Sequence, residues 1–495
     1  MSGDRASGSV DAAGKLELHG IDFIPEAHRT RKPGSILWIV TGADVTFPPI
    51  IVGTVPIALG LSWWAAFWAL VVGTILGCIQ IGIMSLLSPR TGTNISVSSA
   101  AHFGIKGRLL ASIVGFLTSI FFTALAIWAG GDTMVFALHR LVGTTDARWF
   151  HALWYIVFAI IAVAVGAYGF ATMAKVQKIF AWSSGLVLIA AAFLLSPHFS
   201  ADYAGGKLAL GSFWPTWVFA VGVYDTIPLG YVLVVGDWTR YISKERYSTT
   251  HLALAAVLAV IVGMGLPMLW GTYTASMMAG MSGGYIANLV NIAPLWFVIF
   301  LLWVGIGTGF GHAAVDLYTT GLDMCSVFPT VNRLNASLMA GIMAVIVVVL
   351  GTFYGSIINN IITALDLLAV LLASFTGVIT VGYFNHRGCY DADALQDVLR
   401  KTEGGRYWYL GGWEWRSTLA FLLASVGGIL CLKETWFTGP LFVALGGFNA
   451  GFILSWIGSG VIYAGLLWAF PEDDVHYAHP DGSLFAHKRY TGKLA

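Results

Sequence analysis

Charge is scarce in this chain. Asp, Glu, Lys and Arg together make up 10% of its 495 residues, against roughly 25% in ordinary soluble domains. A soluble fold of this size could not solvate its surface with so few. Cysteine is scarce too: Cys78, Cys325, Cys389 and Cys431 form no C-x-x-C pair and no Cys/His cluster. That pattern fits buried or lipid-facing small residues better than a metal site or a disulfide framework. The formal net charge is only +1 and no dense basic run exists, so electrostatic binding of nucleic acid is excluded. The first 35 residues lack the apolar core of a signal peptide, and no cleavable signal is expected. An H-E-x-x-H or comparable nucleophile–base motif is missing, which counts against an intramembrane enzyme. No repeated selectivity motif points to a channel.

Apolar length is what the chain has. It is 57% hydrophobic, with 59 Gly and 20 Trp, residues common in membrane helices and at their interfaces. Twelve apolar runs of about 20 residues are bounded by charge, Pro or Gly. They fall near 36–60, 63–87, 110–137, 151–172, 176–196, 213–235, 251–280, 293–321, 335–354, 357–384, 417–433 and 447–470. The expected class is an all-α integral membrane protein with 12 transmembrane helices. Backbone groups in lipid must be satisfied within a segment, and a barrel would show short alternating runs instead. With a cytoplasmic N-terminus, only Arg140, Arg148, Lys207 and Lys433 fall in outside loops, leaving 22 of the 26 basic residues inside. The positive-inside rule therefore puts both termini in the cytoplasm of a multi-pass protein of the plasma (inner) membrane.

Two spans are interrupted by residues that do not suit a helix in lipid. The first carries Gly42, Asp44 and the pair Pro48-Pro49; the sixth carries Gly222, Asp225, Pro228 and Gly230. Pro removes an amide donor and clashes with the preceding turn. One such span would read as readily as a simple kink. Two, five spans apart and each with an Asp, point to an inverted-repeat transporter whose unwound backbone forms a mid-membrane site.

Asp44, Asp225, His312, Asp316 and Asp366 all fall inside predicted spans. A charge at the bilayer centre costs about 2.5–3.5 kcal/mol, so each needs a partner, a proton or a wet cavity. Asp366 is read as readily as a structural hydrogen bond to a neighbouring helix end. A lone His is at least as often a satisfied core residue as a proton relay, yet His312 and Asp316 share one helical face. The glycines around them, Gly305 to Gly311, need nothing beyond close helix packing. Aromatics on span three (Phe121, Phe122, Trp128) and beside the second interruption (Tyr224, Tyr231) could hold a flat ring between their faces. Asp237 and Arg240, spaced i, i+3 after span six, are expected to form a structural or gating pair.

Five segments resemble one family: GIDFIPEAHRTRKP before span one, RTGTNISVSSAAHFGIKGR between spans two and three, GDWTRY after span six, DLYTTGLDMCSVFP closing span eight and ALDLLAVLLASFTGVITVGYF in span ten. The chain is similar to the nucleobase:cation symporter-1 family of cytosine, purine, allantoin and hydantoin permeases. The resemblance implies the leucine-transporter-type 5+5 inverted repeat with broken helices 1 and 6. Its divisions would be a cytoplasmic segment 1–35, a first repeat 36–196, a second repeat 213–384, a cytoplasmic loop 385–416, spans eleven and twelve over 417–470 and a cytoplasmic tail 471–495. It also implies symport of a planar heterocycle of the cytosine/purine class with H⁺ or Na⁺, and no other cofactor. Allantoin, hydantoin, a vitamin-type heterocycle or an amine are the alternatives on the same fold.

Segment matching places Phe47, Phe122, Pro228 and Leu317 near substrate positions, with Asp44, Asp225 and Asp316 to bind the polar edge. Family members tend to have an aromatic where Pro228 stands, so Tyr224 or Tyr231 would serve instead. Many cytosine/purine members carry Asn where Asp316 stands; an acid there suits an amino group or a protonated ring nitrogen. The matching cation site would comprise carbonyls near Gly42 and Ala43 with Thr308, Gly311 and His312. Thr308 is its only obvious hydroxyl ligand, and the balance of residues favours H⁺ over Na⁺. Pro48, Pro49, Pro228, Asp237 and Arg240 are assigned to structure and gating.

Overall fold

A computed structural model describes residues 22–477, apart from 168–169, 282, 329–330, 332, 355–356, 401 and 435. The expectations for the first 21 residues and for the tail beyond 477 therefore lie outside the described residues. The described chain is helical, with only isolated β-bridges. The principal helices are α1 (Gly34–Asp44), α2 (Phe47–Ala58), α3 (Trp63–Met84), α4 (Leu109–Val142), α5 (Arg148–Ala167), α6 (Phe170–Leu195) and α7 (Phe213–Gly230). They continue with α8 (Thr249–Met277), the short α9 (Tyr285–Ile292), α10 (Leu295–Val327), α11 (Arg333–Tyr354), α12 (Ile357–Asn385), α13 (Trp415–Ile429) and α14 (Gly451–Ala469). Among the described residues, ten helices are long and apolar enough to cross a bilayer, α1 and α2 form one bent pair, and α13 is a shorter apolar helix of 15 residues. These coincide in order with the twelve runs read from the sequence.

The outer wall is apolar on the wrong side for water. Ile160, Leu186, Phe193, Ile342 and Ile346 of α5, α6 and α11 are all more than half exposed. Such rows of large aliphatic side chains belong against lipid tails. By contrast α7 is buried almost throughout.

Helix partnerships recur with an offset of five spans. Span one (α1 and α2) packs on α6 and α8, and span six (α7) packs on α12 and α3. The α4 helix packs on α10, and α5 on α11. The α4–α5 and α4–α11 contacts are matched by α10–α11 and α10–α5. This is the packing of two interleaved five-helix units. Glycine permits the closest approaches: a Cβ on Gly42 would sit 2.1 Å from the Gln177 carbonyl oxygen of α6, and one on Gly130 would sit 2.5 Å from Gly309 Cα of α10.

The first and last described segments pack on one face. Ile24 N donates to Gly92 O and Arg29 Nη1 to Pro89 O, while Glu414 N donates to Phe103 O and His476 Nδ1 to Arg406 O. All of these groups lie in or against the loops 86–108 and 385–416. The opposite end of the bundle contains the end of α2 and the α4–α5 loop, and the orientation expected from the basic residues would make it the outer face.

Candidate functional site

The first interruption is a true break. The axes of α1 and α2 differ by 66°. Val45 and Thr46 are non-helical, with Thr46 extended at φ −150°. Pro48 and Pro49 fall in the first turn of α2, where a missing N–H leaves no broken bond. Backbone groups freed by the break are captured locally: the Thr46 hydroxyl donates to Ala43 O at 2.5 Å, and Phe47 N–H donates to the Thr308 hydroxyl at 3.0 Å.

The second interruption is milder and later than the sequence suggested. Helix α7 runs unbroken through Gly222, Asp225 and Pro228 to Gly230. Tight turns then cover Tyr231–Val234, closed by Tyr231 N→Pro228 O and Val234 N→Tyr231 O, before helix resumes at Val235. Three-residue turns keep the chain near its original axis, so spans resume without a sharp bend.

A cluster of ionisable side chains closes over the first break. His312 Nδ1 lies 2.6 Å from Ala43 O and 3.7 Å from Asp44 Oδ1; His312 Nε2 lies 3.5 Å from Asp316 Oδ2. A carbonyl can only accept, so Nδ1 carries a proton; in the neutral ring Nε2 is then the lone-pair nitrogen facing Asp316. The Tyr231 hydroxyl lies beside Asp44 and near Asp316. All four side chains are buried. Both Asp44 oxygens, His312 Nε2, Asp316 Oδ2 and the Tyr231 hydroxyl lack a hydrogen-bond partner. Buried polar atoms are nearly always satisfied, so such a concentration of exceptions calls for a functional reason. Two π-helical stretches, Val260–Gly265 in α8 and Gly307–His312 in α10, pack against α1; such turns concentrate at functional sites.

Several expected site residues face elsewhere. Asp225 accepts from Gln80 Nε2 of α3 at 3.0 Å. Tyr224 hydrogen-bonds Thr272 of α8 at 2.6 Å. Pro228 abuts the α3 backbone at Gly77. Leu317 packs in the α5–α11 cluster with Ala159 and Ala340. These four side chains are turned toward neighbouring spans rather than toward the first break. Phe47 is buried beside the break, and Phe122 touches α7 at Gly230. Asp366 accepts from Asn449 at 2.9 Å, the structural alternative for that residue. Asp237 and Arg240 are buried after α7.

The oxygens expected to bind a cation are engaged. Ala43 O accepts from His312 and Thr46; the Thr308 hydroxyl accepts from Phe47 N and donates to Val304 O. Gly311 O accepts from Gln177 Nε2 at 2.6 Å, and Gly42 lies tight against the Gln177 backbone. No group of three or more His, Cys, Asp and Glu side chains suited to a metal ion occurs among the described residues. Sequence reasoning passed over Gln80 and Gln177, polar residues within apolar spans, and Asp132 at the outer end of span three. Their position inside apolar runs was the available signal.

Interleaved five-helix units around a broken span, with an ionisable cluster at the break, define an integral membrane transporter rather than an enzyme. Solved structures share this architecture. Mhp1, a nucleobase-cation-symport-1 family transporter, in a closed conformation with bromovinylhydantoin bound, superposes with a TM-score of 0.71 at 18% identity over 96% of this chain and 100% of that one. The sequence profile described as a permease for cytosine/purines, uracil, thiamine and allantoin matches residues 23–457, so the chain belongs to this nucleobase:cation symporter-1 family. It is similar to a putative purine-cytosine permease, YxlA, of Bacillus subtilis, with 24% identity over 91% of this chain and 95% of the relative. It is also similar to the hydantoin permease of Microbacterium maritypicum, with 21% identity over 85% of each.

Proposed function

We propose that the protein imports a nucleobase or closely related planar heterocycle together with H⁺ by alternating access, with both termini cytoplasmic in the plasma (inner) membrane. The observation that carries this reading is the His312 imidazole held between Ala43 O, Asp44 and Asp316 at the break. A cationic imidazole there would take the place a metal cation needs among the same oxygens. His312 Nε2 and Asp316 Oδ2 are two acceptors facing each other at 3.5 Å. A proton placed between them turns this repulsion into a charge-assisted hydrogen bond. The imidazolium so formed is attracted to Asp44 Oδ1, 3.7 Å away on the broken span, and strengthens the bond to Ala43 O; α10 is thereby drawn onto span one, which gives the cation and the substrate a differential effect on the two access states. Asp316 and Asp44 then accept from N–H donors on the ring edge, and Phe47, Phe122 and Tyr231 border its faces. The interleaved packing supports 36–196 and 213–384 as the repeats that rock against each other.

The relative named as a hydantoin permease supports hydantoin-type rings as the second reading. Counterflow in proteoliposomes, with labelled cytosine, adenine, uracil, allantoin and benzylhydantoin, tests the substrate class. Cytosine or adenine exchange is expected, without Na⁺. Exchange of none of the five, or uptake that needs Na⁺ and survives collapse of the proton gradient, would overturn the proposal.

A further inference from the structure

A second polar cluster lies apart from the break. On the outer face a cavity of about 300 Å³ opens between α2, α4, α5, α9 and α12, at the lower end of the range of small-molecule sites. Its polar floor is Asp132 of α4. The Asp132 Oδ1 oxygen accepts from His151 Nδ1 and from the Tyr155 hydroxyl, both at 2.6 Å. Gly131 makes this possible, because a Cβ there would lie 2.5 Å from the Tyr155 ring. Among the described residues both recorded bonds of Asp132 fall on Oδ1, and Asp132 lines the cavity. A carboxylate clamped through one oxygen at the wall of a cavity is prepared for a donor from outside the chain.

Trp128, one helical turn below Asp132 on α4, lines both this cavity and a smaller one of about 130 Å³. The smaller cavity continues along α4 to Phe121, whose ring lies 5.1 Å from Phe122. Phe122 touches α7 at Gly230, immediately before the second interruption. A row of aromatic faces thus leads from the Asp132 carboxylate to the edge of the central site.

We propose that the outer cavity is a second substrate station, where Asp132 accepts the N–H donors of a planar amino-heterocycle stacked on Trp128 before the ring passes to the central site. The station rests on the transporter reading and extends it. His151 and Tyr155 are positioning residues: they fix the carboxylate and need not touch the ring.

Uptake of radiolabelled cytosine and adenine into proteoliposomes tests this with Asp132→Asn, Asp132→Glu and Tyr155→Phe. Asp132→Asn is expected to raise KM about ten-fold with Vmax held within about twofold, the loss of one hydrogen bond to a charged group. Asp132→Glu should recover most of that affinity. Tyr155→Phe, which keeps the carboxylate and removes one clamp, should raise KM by less than Asp132→Asn. An unchanged KM in Asp132→Asn overturns the station. So do equal losses in all three variants, which would mark Asp132 as a tie between α4 and α5 only. So does a change confined to the proton dependence of Vmax. Wild-type protein that takes up neither compound would overturn the transporter reading for this substrate class and the station with it. The two failures are told apart by which protein, wild type or variant, lacks the signal.

Discussion

Replacing His312 by Gln isolates proton coupling from ring binding. The Gln amide can still donate to Ala43 O, the bond His312 Nδ1 makes at 2.6 Å, so the break should keep its shape. It cannot take up a proton, so the gap between His312 Nε2 and Asp316 Oδ2 can no longer be bridged by one. Moving one charge across 100 mV is worth about 2.3 kcal/mol, which sustains about 50-fold accumulation of substrate. Wild-type protein in proteoliposomes with an inside-negative potential should approach that ratio for cytosine or adenine. The His312→Gln protein should reach a ratio of about one, while counterflow exchange, which needs no net proton movement, should persist. Accumulation by His312→Gln at the wild-type ratio would refute the proton-loading role. Loss of exchange together with accumulation would show that His312 holds the break together rather than the proton.

Three further outcomes follow from the same geometry. Asp316→Asn should abolish gradient-driven accumulation, whereas Asp225→Asn, whose side chain can still accept from Gln80, should leave uptake near wild type; equal loss in both would put Asp225 back in the pathway. Gly42→Ala places a Cβ 2.1 Å from Gln177 O, and forcing α1 off α6 should destabilise the protein by about 1–3 kcal/mol, read as a lower melting temperature in detergent; an unchanged melting point would show that the helices yield freely. On the terminal face, burial alone would raise the Glu472 carboxyl, but His386 at 3.1 Å, His476 and His102 outweigh it and hold it at about 2. Its contribution is therefore present above the ordinary value of 4.5 and lost as pH falls from there towards 2. It amounts to about 3 kcal/mol. Melting curves of wild type should fall more steeply than those of Glu472→Gln between pH 5 and pH 3, and parallel curves would remove the role assigned to this pair.

Residues set the membrane class, the order of the spans and the site of the first break without help from tertiary structure. Few charges and twelve apolar runs leave helices in lipid as the only way to satisfy the backbone, and Pro48-Pro49 can start a helix but not continue one. His312 and Asp316 were legible as one face, because i and i+4 are neighbours on any helix. The family motifs indicated the transporter family to which the chain belongs. Which helix that face meets was not legible. Asp225 lies beside Pro228 in the sequence as Asp44 lies beside Pro48, yet one is turned onto Gln80 of α3 and the other onto the break. Leu317 follows Asp316 directly and points a third of a turn away, into α5 and α11. Asp132 met His151 and Tyr155 only because α4 and α5 pack closely at Gly131. Periodicity along one helix settles which residues share a side. The rotation of that side toward one neighbour or another is set by contacts between spans distant in the chain, and only the packed bundle decides it.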